Sequence, residues 1–220
     1  MEYEGDYINN KYNGKGYDEN GNIIYELKNG TGKVKEYRKE GNIIFDGEYL
    51  NGLRNGKGKE YDNHGKLRFE GEYLNGRRWE GKGYDKLNNI VYELKEGKGL
   101  VKEYNDHGDL RFEGEYLNGL RNGKGKEYEY GKLRFEGEYL NGLRNGKGKE
   151  YYDDGKLSFE GEYLYDSRLK GKEYVNERLE YKGDYIIKKY NGKGYDEYGN
   201  IIYALKNGTG NVKEYDDFGF

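Results

Sequence analysis

The amino-acid sequence predicts an all-β protein: an elongated, single-layer antiparallel meander, or solenoid, of about ten β-hairpin repeats. Three observations lead to this prediction. The segment FEGEYLNGLRNGKGKEY at residues 112–128 recurs letter for letter at residues 135–151, and tandem self-similarity is the signature of a repeat protein. Aromatic residues and glycines alternate with charged residues, as in a half-buried strand. Asn-Gly pairs separate the alternating segments and favour the tight turns of hairpins.

The repeat unit consists of two predicted strands and a reversal. Phe112, Gly114 and Tyr116 share one face of the first strand, and the two intervening glutamates share the other. We predict the reversal over residues 117–123, which carry two Asn-Gly pairs, and the returning strand over residues 124–128. A lone hairpin is marginal in water, so each unit must be stabilised by its neighbours. We therefore expect the aromatic rings of one strand to cover the glycines of the next.

The polar face of the unit carries charges of both signs. Glu113 and Glu115 alternate against Lys124 and Lys126, so cross-strand pairs of opposite charge are expected on a solvated face.

Every repeat opens on an aromatic residue, and successive openings are 20 to 24 residues apart. A translational repeat has no natural internal boundary, so we predict one domain over residues 3–220 whose last repeat is truncated. The ten openings are Tyr3, Tyr25, Phe45, Phe69, Tyr92, Phe112, Phe135, Phe159, Tyr181 and Tyr203.

Two further classes of segment depart from this unit. One has a single aromatic residue before Gly-Lys-Gly, and in it Trp79 stands where Tyr12 and Tyr190 stand in sister copies. The other is compact, as at residues 25–37, where Asn29-Gly30 predicts a two-residue type I′ turn.

The repeat that opens at Phe159 is the most degenerate copy. Residues 165–170 and 175–178 replace its usual turn sequences, and we expect a local irregularity there.

The composition indicates a folded chain with little aliphatic core. Only 33% of the 220 residues are hydrophobic and the mean hydropathy is -1.30, which alone would suggest disorder. Disorder of that kind goes with few aromatic residues and high net charge, whereas this chain has 28 tyrosines and a net charge of -3. Because tyrosine has an apolar ring and a hydroxyl that can stay hydrated, we expect tyrosines to fill the core.

The sequence favours a reducing compartment. It contains no cysteine, so disulfides and thiolate chemistry are excluded. The first residues lack the basic start and the apolar run of a signal peptide. No apolar run approaches the roughly 20 residues of a membrane-spanning helix. We expect a cytoplasmic protein without a transmembrane segment.

No set of residues has the pattern of an active site. His64 and His107 each precede a turn glycine, and they would form a metal pair only if distant repeats came together. The segment at residues 18–22 faintly resembles a calcium loop, but its ligand spacing does not fit, which favours an Asx turn. The Gly-Lys-Gly segments lack the spacing and the following helix of a phosphate loop. Carboxylates repeat with the unit, whereas a catalytic pair should be singular. We therefore expect no catalytic residue, no metal, no cofactor and no enzyme activity.

Basic residues interleave with tyrosines, as in Arg121, Lys124, Lys126 and Tyr128, and such a pattern could contact phosphates or anionic lipid. Each basic residue has acidic neighbours, however, and the net charge is -3. The basic excess that drives nucleic-acid binding is missing, so we expect no nucleic-acid partner.

The repeat unit resembles the MORN repeat, and the resemblance extends from Tyr3 to about Tyr215. The resemblance lies in the order of residues: aromatic-Glu-Gly-Glu-aromatic, Asn-Gly, a basic residue, Asn-Gly-Lys-Gly, Tyr and an Asp/Asn-Gly turn. Tyrosine stands where many MORN repeats have tryptophan, as at Tyr49 and Tyr73, and the compact units lack the central glycine. The resemblance implies a meander of hairpins that serves as a scaffold or protein-binding surface, often dimeric. It implies no catalytic residues, and lipid binding has been proposed for such repeats.

We predict a non-catalytic scaffold that binds another protein, or a second copy of itself, through its aromatic and glycine face and its end strands. Open strand edges invite strand addition, which predicts a homodimer or a higher assembly. The alternative is a peripheral membrane adaptor for anionic phospholipids, and a third possibility is an accessory region of an enzyme. Trp79 is a candidate contact anchor because tryptophan and tyrosine are enriched at binding hot spots. The full set of candidate contacts is Tyr12, Trp79, Tyr84, Tyr116, Tyr139 and Tyr190.

Overall fold

The structure, a computed structural model, describes residues 3–8, 10–18, 20–38, 41–186 and 188–212, with the backbone alone for residues 7, 8 and 10–12. Within these ranges the regular elements are nineteen β-strands and no helix. Consecutive strands pair antiparallel within three sheets. The predicted all-β antiparallel meander is confirmed.

Each sheet follows the order of the chain. The first contains β1 (Tyr3–Ile8), β2 (Asn10–Tyr17) and β3 (Ile23–Leu27). The second contains β4 (Gly32–Tyr37), β5 (Ile43–Leu50), β6 (Leu53–Tyr61), β7 (Leu67–Leu74), β8 (Arg77–Tyr84) and β9 (Ile90–Leu94). The third contains β10 (Gly99–Tyr104), β11 (Leu110–Leu117), β12 (Leu120–Glu129), β13 (Lys132–Leu140), β14 (Leu143–Tyr151), β15 (Leu157–Leu164), β16 (Ser167–Val175), β17 (Arg178–Ile186), β18 (Lys188–Tyr195) and β19 (Ile201–Leu205).

The chain divides into two compact units. The first unit comprises Met1–Leu110 and Glu115–Leu120, and the second unit comprises Arg111–Gly114 and Arg121–Phe220. That the whole chain folds as one domain stays a prediction. By comparison with β4, the returning strand of the last repeat would begin at Gly210; residues 210–212 are not in a strand, and the rest of this segment lies outside the described residues.

The aromatic rings of the core rest on glycines. Phe112 is fully buried, and a Cβ atom added to Gly125 would lie 2.6 Å from its ring and 3.0 Å from the ring of Tyr139. In the first unit, a Cβ atom on Gly58 would lie 2.6 Å from the Phe45 ring. The prediction that rings cover the glycines of neighbouring strands is confirmed, because any side chain at these glycines would displace a ring.

The hairpin turns are shorter than we predicted. Asn29 and Gly30 have φ angles of 50° and 69°, so the predicted type I′ turn is confirmed. The reversal predicted over residues 117–123 is wrong, because only Asn118-Gly119 turns the chain and β12 begins at Leu120.

The second Asn-Gly pair of the unit lies inside a strand, where it forms a bulge. Between the pairs Gly47↔Gly58 and Tyr49↔Arg54, β5 has one residue, Glu48, and β6 has three. The bulged Gly56 has φ 88°, and the Glu48 carboxylate accepts the Lys57 backbone N–H at 3.0 Å. Glycine supplies the left-handed backbone and the carboxylate satisfies a donor that the ladder leaves unpaired.

The compact segments separate the sheets. Leu27 and Val34 stand where the standard unit has the paired glycines, and both are 1% exposed. In the standard unit those glycines approach so closely that a Cβ atom on Gly47 would lie 2.6 Å from the Gly58 Cα. Larger side chains cannot share that space, so β3 and β4 pack through Leu27 and Val34 but pair only at the bridge between Lys28 and Thr31.

The irregularity expected after Phe159 is present, but it leaves the glycine pairing intact. β15, β16 and β17 pair through Gly161↔Gly171 and Gly171↔Gly183, as standard units do. Between Glu162↔Lys170 and Tyr163↔Arg168 the bulge of β16 is the single residue Leu169, whereas β14 places three residues opposite Glu138. The turns also differ, because Tyr165-Asp166 and Asn176-Glu177 adopt positive φ at both positions. A two-residue turn tolerates other residues at a cost in backbone strain, so the hairpins survive.

The face opposite the core is a solvated ladder of charges. Lys124 opposes Glu138 and Lys126 opposes Glu136 in the register of β12 and β13. The equivalent pair in the first unit, Lys59 and Glu70, is 3.0 Å apart with both side chains about half exposed. The expected cross-strand pairs are therefore present.

Candidate functional site

A layer of arginine, glutamate and tyrosine covers the aromatic core. In each standard repeat an arginine after the turn places its guanidinium over the opening phenylalanine, at 4.2 Å for Arg54 over Phe45 and 4.1 Å for Arg144 over Phe135. We call this the Arg-Glu-Tyr layer. Its members are Glu36, Tyr49, Arg54, Glu60, Tyr73 and Arg78 in the first unit, and Arg121, Glu127, Tyr139, Arg144, Glu150, Tyr163, Arg168 and Glu173 in the second unit.

In the first unit the layer is centred on Glu60. Arg78 donates to one carboxylate oxygen of Glu60 at 2.7 Å, and the Tyr73 hydroxyl donates to the other at 3.1 Å. Arg78 also donates to the Tyr92 hydroxyl at 2.8 Å. One repeat earlier, Arg54 donates to Glu36 at 2.8 Å. Each glutamate thus holds an arginine and a tyrosine from the following repeat.

In the second unit Glu150 has the same role. Arg168 donates to one of its carboxylate oxygens at 2.5 Å and the Tyr163 hydroxyl to the other at 2.6 Å. Arg144 contacts both Glu127 and Glu150, so the layer is continuous within this unit.

These contacts shift the pKa values of several side chains in the layer further from neutral pH. Burial by itself raises the pKa of Glu60, but the charges of Arg78 and Arg54 and the hydrogen bonds from Arg78 and Tyr73 outweigh it, so the net pKa is lowered. Burial, followed by the Glu60 charge, raises the pKa of Tyr73 well above its usual value. Burial opposes the charge of Arg78, yet the Glu60 charge keeps the Arg78 pKa well above its usual value. The layer is a fixed, internally neutralised surface and not a proton-transfer site.

The first unit also contains a groove of about 300 Å³, which lies where its four-residue turns converge. Arg38 pairs with Asp106 at 3.3 Å across 68 residues of sequence. The side-chain amide of Asn42 donates to the Asn63 carbonyl at 2.8 Å, and Lys66 donates to the Lys86 carbonyl at 3.0 Å. These links join the turns that follow β4, β6, β8 and β10.

The groove wall is strongly polar and contains several aromatic rings. Its charged side chains are Arg38, Arg54, Arg68, Arg78 and Lys102 with Glu60, Asp62, Glu103 and Asp106, and its rings are Tyr61, Tyr84, Tyr92 and Tyr104. The five cations exceed the four carboxylates by one charge.

The predicted contact residues occupy different kinds of position within their units. The side chain of Tyr12 lies outside the described residues. Tyr84 lines the groove, whereas Trp79 is a bulge residue of β8 whose ring lies beside Gly97. Tyr190 holds the same bulge position in the second unit, with its ring beside Gly208.

The other two candidates pack into the aromatic core. The Tyr116 ring is partly buried against the core cluster of the first unit, and its hydroxyl donates to Glu103, which lines the groove. Tyr139 is 4% exposed, and its hydroxyl donates to Glu127 at 2.9 Å. Tyr139 therefore supports the Arg-Glu-Tyr layer from below and offers almost no surface to a partner.

Sequence reasoning missed the arginines and glutamates of the layer. We assigned the alternating Glu113, Glu115, Lys124 and Lys126 to a solvated face and gave the glutamate before the closing tyrosine no place over the core. The available signal was position: an arginine two residues after the turn and a glutamate before the closing tyrosine recur in the standard units. Arg68 could not be found this way, because its contact with the Asn105 carbonyl spans 37 residues.

The histidines and the acidic turn are structural. The backbone N–H groups of His64 and His107 donate to the side chains of Asp62 and Asn105 at 2.9 Å. Asp18 accepts the backbone N–H groups of Asn20 and Asn22, so the predicted Asx turn is confirmed. In the described part of the chain, no group of three or more His, Cys, Asp or Glu residues is arranged to hold a metal ion. Nor do those residues include a helix with the length and apolarity needed to cross a bilayer.

Comparison with known families finds the MORN repeat at residues 3–17, 45–66, 112–128 and 135–156. A MORN repeat variant matches residues 98–118. Four of the matches begin at openings that we predicted, namely Tyr3, Phe45, Phe112 and Phe135. No curated protein matches the chain.

Proposed function

The chain is a MORN-repeat protein, and from this premise we propose that it is a non-catalytic scaffold whose groove-bearing face in the first unit binds another protein. MORN repeats are commonly associated with binding to proteins or to membrane lipids, and they are a non-enzymatic class of repeat. The observation that carries the proposal is the groove of about 300 Å³, whose wall combines arginines and tyrosines. Arginine and tyrosine are enriched at protein interfaces and at their hot spots.

The geometry refines which surface would meet the partner. The opening phenylalanines, such as Phe45 and Phe69, are 0% exposed, so the aromatic and glycine face is sealed by the Arg-Glu-Tyr layer. A partner would therefore contact this layer and the tyrosines at the groove. The ion pairs of the layer hold those side chains in place before binding, which lowers the entropy cost of association.

Differential affinity capture tests the proposal. The intact chain and a Tyr84→Ala/Arg38→Ala variant would be used as baits, with Lys59→Ala as the matched control on the opposite face. We expect partners that the wild type and the control capture but the groove variant does not. Equal capture by all three baits would refute the groove as the binding surface.

Trp79 requires a separate test because it is a bulge residue and not a groove residue. If Trp79 is a contact anchor, the Trp79→Ala variant should lose partner binding and keep its thermal stability. If the variant loses stability and keeps the partner, Trp79 is a packing residue.

The alternative of a peripheral membrane adaptor rests on the five cations of the groove wall. Co-sedimentation with anionic vesicles over a salt series separates the two functions, since electrostatic lipid binding weakens as salt rises. Salt-sensitive sedimentation that is lost in the groove variant would favour the lipid function. A homodimer and a cytoplasmic location also stay proposals, and light scattering at high concentration tests the first of them.

A further inference from the structure

Arg68 has a buried donor that no group in the described chain accepts. Its side chain is 10% exposed, and its Nη1 atom is buried without a hydrogen-bond partner. The rest of its guanidinium is engaged: Nη2 donates to the Asn105 carbonyl, Nε lies 3.7 Å from Asp62, and the group faces the Tyr104 ring. An unsatisfied buried donor on a charged group is costly, so an acceptor is missing from this site.

The carboxylates around the groove already have partners. Asp62 accepts the backbone N–H groups of His64 and Lys66, both at 2.9 Å. Asp106 pairs with Arg38, Glu60 pairs with Arg78, and Glu103 accepts from Tyr116. Because each of these carboxylates already has a partner, an acceptor from outside the groove would complete the hydrogen bonding of Arg68 Nη1.

The charge of the wall indicates what kind of acceptor fits. The wall already holds four carboxylates, and Glu36 beside the wall neutralises Arg54 at 2.8 Å. A carboxylate of one negative charge therefore meets less repulsion in the groove than a phosphate of about two negative charges. The tyrosine rings of the wall offer apolar contact to the stem that carries the carboxylate.

We propose that the groove binds an Asp or Glu carboxylate of an extended partner peptide, with Arg68 Nη1 as a donor to that carboxylate. This inference rests on the proposed protein-binding function. A guanidinium is suited to the role because it stays charged and donates in a fixed geometry. Arg38 adds a second donor, since its Nε atom is also buried without a partner in the described chain.

The test uses the full chain and arrays of capped hexapeptides that carry one Glu in varied uncharged flanks. Matched arrays carry Gln or phosphoserine in place of the Glu. We expect a subset of Glu peptides to bind, with Gln versions at least about tenfold weaker, as expected for a lost charge-assisted hydrogen bond. Phosphoserine versions should not exceed the Glu versions.

Arg68→Gln should weaken binding of the selected Glu peptides about tenfold or more. The matched control is Arg111→Gln, because Arg111 has the same Leu-Arg-Phe context but is exposed and outside the groove. It should change binding by less than about twofold. If Arg68→Gln does not fold, ¹⁵N NMR of the wild-type guanidinium signals during peptide titration gives the same information, since Arg68 should shift.

Three results would overturn the inference: no Glu peptide binding at millimolar concentration, equal binding of Gln peptides, or binding unaffected in folded Arg68→Gln. Stronger binding of phosphoserine peptides or of inorganic phosphate would assign the site to phosphate instead. If partner capture depends on the groove but the Glu peptides do not bind, only the assignment of the ligand as a carboxylate is refuted. If neither partner capture nor peptide binding depends on the groove, the proposed function is refuted as well.

Discussion

The guanidinium carbon of Arg144 lies 4.1 Å from the centre of the Phe135 ring, and the same guanidinium pairs with Glu127. One side chain therefore closes the apolar core and belongs to the polar layer above it. A planar cation stacked on the face of the ring covers it and keeps water away from it. This relationship recurs in the standard repeats of both units.

Arg144→Ala should destabilise the protein by about 2 to 4 kcal/mol, because Glu127 and Glu150 lose a partner and the ring loses its cover. Lys172→Ala is the matched control, since the Lys172–Glu160 pair is 2.8 Å long but 41% and 33% exposed. Its loss should cost about 1 kcal/mol or less. Chemical denaturation of both variants measures the difference, and equal losses would show that the layer contributes no special stability.

Gly125→Ala should cost about 1 to 3 kcal/mol or more, because its Cβ atom would lie 2.6 Å from the Phe112 ring. Gly155→Asn is the control: Gly155 has φ 84° and open space around it, and asparagine tolerates that backbone. We expect its cost to stay below about 1 kcal/mol. A Gly125→Ala variant as stable as the control would contradict the packing of rings on glycine.

Protonation of Glu150 at low pH should destabilise the Arg-Glu-Tyr layer. Burial raises the pKa of Glu150, but hydrogen bonds from Arg168 and Tyr163 and the nearby charges outweigh burial and lower it overall. A carboxyl whose pKa is lower in the folded state stabilises the protein above its unfolded pKa of about 4.3, and that stability is lost as pH falls through the folded pKa.

Urea midpoints at about pH 6 and about pH 3 check this prediction. The difference in stability between the wild type and Glu150→Gln should be large at the higher pH and smaller at the lower pH. A constant difference would show that the charge of Glu150 does not stabilise the fold.

Alkali should destabilise the protein through its buried tyrosines. Burial, followed by the hydrogen bond to Glu150, raises the pKa of Tyr163 well above its usual value, and burial with the Glu113 contact raises the pKa of Tyr128 to about 12. A raised tyrosine pKa leaves stability intact below the unfolded pKa of about 10, and that stability is lost as pH rises through the folded pKa.

Phenolate absorbance and circular dichroism followed against pH test this behaviour. A fraction of the tyrosines should ionise only together with unfolding, and Tyr163→Phe should reduce that fraction. Complete ionisation near pH 10 in a protein that stays folded would contradict the buried hydroxyl contacts.

Glu177→Gly should stabilise the protein by about 1 kcal/mol, because Glu177 has φ 66° and glycine adopts this conformation without strain. Glu177→Ala retains the strain and is the control for loss of the side chain, whose pair with Lys156 is 3.8 Å long and exposed. Thermal unfolding of the two variants should differ in favour of glycine. Equal midpoints would mean that this turn is not strained.

Local pattern predicted much of the fold and little of the candidate site. The period-two alternation around Phe112 and the Asn29-Gly30 pair each act within a few residues, so strands, turns and core rings could be derived from them. The bulge at Gly56 and the sheet break at Leu27 and Val34 were missed, since they depend on how closely two strands approach.

The sequence by itself determined the repeat, the antiparallel meander, the buried phenylalanines and the glycines beneath them, because each is a property of one unit and its neighbour. Only the tertiary structure decided which charges leave solvent for the Arg-Glu-Tyr layer and which turns meet around the groove. Arg38 and Asp106 are 68 residues apart, and their contact depends on the summed curvature and breaks of all the strands between them. No local pattern encodes that sum, so the groove and the unpaired donor of Arg68 could not be inferred from the chain alone.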